Sequence, residues 1–152
     1  MAVTLNASTS SGFAATADNS GVLTLQSNGT DAASVSGSNF QFNSGYGSVA
    51  TAYGCRAWVN FNGTGTVAIR ASGNVTSITD NGTGDYTVNF TTAMPDVNYA
   101  TLLDSITVFN GTAGAYQSSG YSTGSVRIGL FGGVNSGGSA YDGSIVSVAV
   151  FR

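Results

Sequence analysis

Ala57-Trp58-Val59-Asn60-Phe61, then Asn62-Gly63, then Thr66-Val67-Ala68-Ile69-Arg70 reads as two strands joined by a glycine-rich turn. A second pair follows, in which Val75 to Thr79 leads through Asp80-Asn81-Gly82-Thr83-Gly84 into Asp85-Tyr86-Thr87-Val88-Asn89-Phe90. There Tyr86, Val88 and Phe90 alternate with polar residues, the period expected of a strand with one buried face. Further apolar stretches are Tyr99 to Leu103, Ser105 to Phe109, Ser125 to Phe131 and Ser144 to Phe151, separated by turn-rich segments such as Asn110-Gly111-Thr112 and Val134 to Gly138. Pro95 fits a turn between strands, because its fixed φ and missing N–H suit no strand interior. In Ile145 to Phe151 nearly every position is apolar, which predicts a strand buried on both faces, either as a central strand or against another subunit.

Working outward, the first 47 residues are small, polar and weakly periodic, with strand-like pieces only at Gly21 to Leu25 and Ser38 to Phe42. Turn signals at Asp18-Asn19-Ser20-Gly21 and Ser27-Asn28-Gly29-Thr30 bracket the first piece. The expectation is therefore an N-terminal arm or small β segment over 1–47 and a β domain over 48–152. Short strands with no helical pattern between them favour an antiparallel β-sandwich or jelly roll.

Composition narrows the function classes. Charged residues are only 7% of 152, all acids are Asp, all bases are Arg, and Lys, Glu and His are absent. Ser, Thr, Asn and 22 Gly stand where helix formers would, which excludes an α-rich fold. A net charge of −3 without an arginine cluster argues against a nucleic-acid partner. The apolar runs are too short for a membrane-spanning helix, and no basic region precedes an apolar one at Met1, so neither membrane insertion nor a signal peptide is expected.

Without His, the familiar nucleophile–base arrangements cannot be built, and one Cys excludes zinc and iron–sulfur sites, so no catalytic, cofactor-binding or metal residue is expected. Asp80 and Asp85 flank a glycine-rich turn that could offer oxygen ligands to Ca²⁺, although Asp at turns ordinarily bonds its own backbone. Two Asp on separate loops could serve a glycan hydrolase, but no spacing pairs them. Cys55 reads as a small buried apolar residue. The glycine string Gly132 to Gly137 lacks the residues and the following helix of a phosphate loop. Asn-X-Ser/Thr triplets at Asn6, Asn28, Asn62, Asn74, Asn81, Asn89 and Asn110 read as turn chemistry. Tyr46, Tyr53, Tyr116, Tyr121 and Tyr141 are assigned to loops, where they plug the ends of the sandwich or touch a glycan or protein.

Two stretches carry a resemblance: Ser11-Gly12-Phe13-Ala14 through Asn28-Gly29-Thr30, and Gly54-Cys55-Arg56-Ala57-Trp58-Val59-Asn60-Phe61-Asn62-Gly63-Thr64-Gly65 through Met94-Pro95-Asp96-Val97-Asn98-Tyr99. The second resembles a module of tailed-bacteriophage structural proteins, often labelled tail-fibre-like, and the first resembles short repeats of similar virion proteins. Together they span about half the chain. The resemblance implies a homotrimeric, non-enzymatic piece of the virion surface with no cofactor. A capsid decoration (cement) protein gripping the head through an extended N-terminal arm is the first expectation. Its partners are then sister subunits and the major capsid protein. The alternative is a tail-fibre or receptor-binding tip, whose partners are tail proteins and a host-surface glycan.

Overall fold

The computed structural model describes residues 21–45, 48–106, 113–132 and 139–152, without the side chains of Ser27 and of 113–119. Asp18 to Ser20, Ser11 to Ala14, Tyr46, Thr107 to Phe109, Val134 to Gly138 and the triplets at Asn6 and Asn110 lie outside these residues. The chain divides into two compact units, Met1–Ala52 and Tyr53–Arg152.

The N-terminal unit contains a four-stranded antiparallel sheet in the order β1-β2-β3-β4, with β1 Val22–Ser27, β2 Thr30–Ser36, β3 Asn39–Phe42 and β4 Ala50–Thr51. The β1–β2 hairpin turns at Asn28-Gly29, whose φ angles of 51° and 73° are the positive pair that a two-residue primed turn demands. Register pairs Leu23 with Val35 and Val35 with Phe40, and pairs Leu25 with Ala33 and Ala33 with Phe42. One side of the sheet is therefore apolar, while Thr24, Gln26, Ser34, Ser36 and Gln41 occupy the other. Leu23, Leu25, Val35, Phe40 and Phe42 are all exposed, and Ser34 is the only buried residue described in this unit.

The second unit is all-β and sandwich-like: two antiparallel sheets face each other across one core. One sheet runs β6-β5-β13-β9, from β5 Cys55–Asn62, β6 Ala68–Gly73, β9 Ala100–Ile106 and β13 Ile145–Phe151. The other runs β10-β11-β8-β7, from β7 Val75–Gly82, β8 Asp85–Phe90, β10 Ala113–Tyr121 and β11 Ser125–Gly132, with β12 Ser139–Ala140 paired to β11. Alternation decides what enters the core. Ala57, Val59 and Phe61 of β5 and Val146, Val148 and Val150 of β13 meet Tyr86, Val88 and Phe90 of β8 and Val126, Ile128 and Leu130 of β11. Full burial stabilises each of the larger side chains by about 1.5–3 kcal/mol.

Polar bonds tie the loops to this core. The Tyr86 hydroxyl donates to the Gly63 carbonyl at 3.0 Å or to Asp142 Oδ1 at 2.6 Å, while its ring meets Phe61 edge-on at 5.2 Å. Tyr141 and the buried Ser105 share a hydroxyl–hydroxyl bond of 2.5 Å, so this tyrosine plugs a sandwich end as expected. At the corner between β6 and β7, Asn74 takes φ 57°, and its side chain bonds the Arg56 and Thr92 carbonyls and the Thr92 N–H.

Several local expectations need correction. Tyr116 and Tyr121 belong to strand β10, because a run of Gly, Ser and Ala carries too weak a pattern to announce a strand that tertiary pairing creates. Tyr99 is buried just ahead of a single strand, β9, which passes through Asp104 without a break. Strand β13 is central in its sheet, between β5 and β9, as one of the two expectations had it; within the chain Val146, Val148 and Val150 point inward, Ser147, Ala149 and Phe151 are half-buried and Ile145 is exposed. Cys55 is exposed rather than buried, since it opens β5 at the sheet margin, where its thiol donates to the Ala57 carbonyl.

Candidate functional site

Alternation that sends Val59, Val148 and Leu103 inward must send their neighbours outward, and the register aligns those neighbours into two rows. Ala149 pairs with Trp58 on one side and Leu102 on the other; Ser147 pairs with Asn60 and Asp104. The apolar row Trp58–Ala149–Leu102 thus lies two residues, about 7 Å, from the polar row Asn60–Ser147–Asp104. Between the larger side chains, the small Ser147 and Ala149 leave an open valley of about 520 Å³.

The valley is built from fixed parts. Trp58 is 45% exposed, yet its indole lies across Gly73 of the neighbouring strand, where a Cβ would stand only 2.5 Å from Nε1. Glycine at 73 is what lets the ring lie there. Asn60 Nδ2 donates to Ser147 Oγ at 3.0 Å, which leaves the Asn60 carbonyl oxygen and the Ser147 hydroxyl hydrogen for other partners. Among the described residues, the Asp104 carboxylate has neither an ion-pair nor a hydrogen-bond partner.

The opposite sheet carries a smaller groove of about 440 Å³, lined by Thr83, Gly84, Asp85, Gly120, Arg127, Gly129 and Phe131. Its carboxylate is engaged: the Arg127 guanidinium forks onto both oxygens of Asp85, with Nε to Oδ1 at 2.8 Å. Asp80, the other acid of this turn, accepts from the Gly82 N–H at 3.0 Å. Both acids are thus used in the turn and its ion pair, and no group of three or more metal-ligating side chains occurs among the described residues. Of the triplet asparagines, Asn62 bonds Thr64 in its turn, whereas Asn81 in β7 and Asn89 in β8 bond across the strands to Thr87 and to Ser77 and Thr79, so these two are not turn residues.

The hydrogen bonds from Arg127 hold the Asp85 carboxyl below the usual aspartate range, and those from Arg152 and the Asn98 N–H do the same for Asp96. Burial and the bond to Asp142 push the Tyr86 phenol well above its ordinary value. A depressed folded-state value means that the stabilisation is complete above the unfolded value, about 3.9, and is lost as pH falls through the folded one. Thermal unfolding followed between about pH 5 and pH 2 should show the melting temperature falling less in an Asp85→Asn/Asp96→Asn double variant than in wild type. Parallel curves would show that neither ion pair contributes.

In class terms this is an all-β chain of antiparallel sheets whose distinctive surface is a rigid aromatic and polar valley on one sheet face. Neither a family model nor a curated protein nor a solved structure matches it. The valley escaped the sequence reading because Asn60 and Ser147 are separated by 87 positions and only register joins them. One signal was available: in Ala57 to Phe61 the largest side chain, Trp58, occupies the outward phase of the alternation.

Proposed function

We propose that the chain is a non-enzymatic structural protein of a bacteriophage particle, a homotrimeric capsid decoration protein that makes its assembly contacts through the N-terminal unit. The observation that carries this reading is the apolar side of β1 to β3, where Leu23, Leu25, Val35, Phe40 and Phe42 are all exposed on a sheet with almost no buried residue. A small sheet requires a covered hydrophobic face to be stable, and contiguous apolar patches on soluble proteins ordinarily mark contact surfaces. Sister copies cover that side in the trimer. The viral setting rests on the resemblance of Gly54 to Gly65 and Met94 to Tyr99 to phage virion modules. Burying these side chains in a sister subunit contributes about 1.5–3 kcal/mol for each that becomes fully covered, enough for stable association without disulfides.

Light scattering on the purified chain should give a trimer that adds to expanded phage heads. Leu25→Asp and Phe42→Asp should each weaken self-association at least 100-fold and abolish head binding, because a carboxylate cannot be buried unpaired there. A wild-type monomer in dilute solution removes the proposal. The second reading, a receptor-binding tip, is favoured by the Trp58 valley; a trimer that binds host cells but not heads would establish it in place of the first.

A further inference from the structure

We infer that the valley over β5, β13 and β9 is a glycan-binding site that takes an uncharged sugar ring, with the ring's C–H face on Trp58 and its hydroxyls on Asn60, Ser147 and Asp104. The inference concerns the second unit alone and stands independently of the proposed assembly role.

A sugar ring has one apolar face and a rim of hydroxyls, and the two rows match that division. Trp58, Ala149 and Leu102 supply an apolar strip, while two residues along the strands Asn60 supplies an acceptor, Ser147 a donor and Asp104 two acceptor oxygens. Ligand pockets commonly combine an apolar lining with a few fixed polar groups in this way. The valley is also preorganised. Strand backbones set the spacing of the rows, the Gly73 contact holds the indole down, and Asn60 is tethered to Ser147, so little side-chain freedom is lost on binding.

Asp104 separates a sugar from the other occupant of an exposed sheet face, a second copy of the chain. A contact that set one valley against another would bury this carboxylate without a cation beside it, because no Lys or Arg lines the valley. An unpaired buried charge is strongly unfavourable. Hydroxyl groups supply the missing donors at no charge cost, and the valley stays open to water at its rim.

Trp58 is the only tryptophan in the sequence, so its fluorescence reports on the site without interference. The labelled full chain is titrated with the methyl glycosides of glucose, galactose, mannose and N-acetylglucosamine at millimolar concentrations. At least one should change Trp58 emission and shift the backbone amides of Trp58 to Asn60, Leu102 to Asp104 and Ser147 to Ala149. Trp58→Ala and Asp104→Ala, read by the amide shifts, should each weaken that sugar tenfold or more, and Asp104→Asn should weaken it less than Asp104→Ala. Gly73→Ala should shift the indole N–H resonance in the free protein and weaken binding, which marks Gly73 as a positioning residue. Phe131→Ala, in the groove of the opposite sheet, should leave binding unchanged. The inference fails if none of the four glycosides perturbs the valley, or if Phe131→Ala rather than Trp58→Ala abolishes binding. It also fails if the valley resonances move with protein concentration instead of sugar, which would make this face a contact between copies.

Discussion

Gly84→Ala is expected to destabilise the second unit by more than about 4 kcal/mol, a cost at the extreme of single substitutions. Gly84 is buried at φ 67°, a conformation that costs a residue with a Cβ roughly 1–2 kcal/mol by itself. The larger part comes from space. An added Cβ would stand 2.6 Å from the Leu130 carbonyl oxygen, and 2.8 Å and 2.9 Å from the carbonyl oxygen and nitrogen of Tyr141. All three are backbone atoms of segments that also hold Gly84 in place: its carbonyl accepts from the Leu130 N–H at 2.7 Å, and its N–H donates to Asp142 Oδ1 at 2.8 Å. Relief would therefore require separating β11 from the segment leading to β13. Gly65→Ala is the control, because Gly65 has nearly the same φ, 64°, with open space around it. It should cost only about 1–2 kcal/mol. Chemical denaturation of the two variants tests the contrast, and equal midpoints would show that the crowding at Gly84 relaxes without penalty.

The second large effect is expected at Asn74. Asn74→Ala removes side-chain bonds to the Arg56 carbonyl, the Thr92 carbonyl and the Thr92 N–H, at distances of 3.0, 3.1 and 2.7 Å. It also places alanine at φ 57°. With about 0.5–1.5 kcal/mol for each bond and about 1 kcal/mol for the backbone, the loss should be about 2.5–5.5 kcal/mol. In a unit of this size that corresponds to a fall in melting temperature of at least about 10 °C. Asn74→Gly loses the same bonds but fits the backbone, so it should be the milder change by up to about 1 kcal/mol. If Asn74→Gly proved as damaging as Asn74→Ala, the backbone would contribute nothing. If both were harmless, the corner would not depend on this side chain.

These two residues show where sequence reading stops. Asn28-Gly29 announced its hairpin because both turn residues are adjacent and their preference for positive φ is intrinsic. Asn74 belongs to an Asn-X-Thr triplet much like the others, and nothing within a few residues says that its partners are Arg56 and Thr92. Gly84 read as one more turn glycine, yet the reason no other residue fits is the backbone of Leu130 and Tyr141, far along the chain. Strand β10 was missed for the related reason that its order comes from pairing with β11 and not from its own Gly- and Ser-rich composition.

What the sequence by itself determined is the local part: an all-β chain, the inward phase of Tyr86, Val88 and Phe90, and the hairpin at Asn28-Gly29, since alternation and turn preference act over two to four residues. What only the tertiary structure decided is which outward residues become neighbours. The lateral register of β5, β13 and β9 sets Trp58 level with Ala149 and Leu102, and Asn60 level with Ser147 and Asp104. Slipping any strand by one residue would turn these side chains into the core and break both rows. Register is fixed by how the inward side chains fill a shared core, a property of the assembled sheets that no single segment contains.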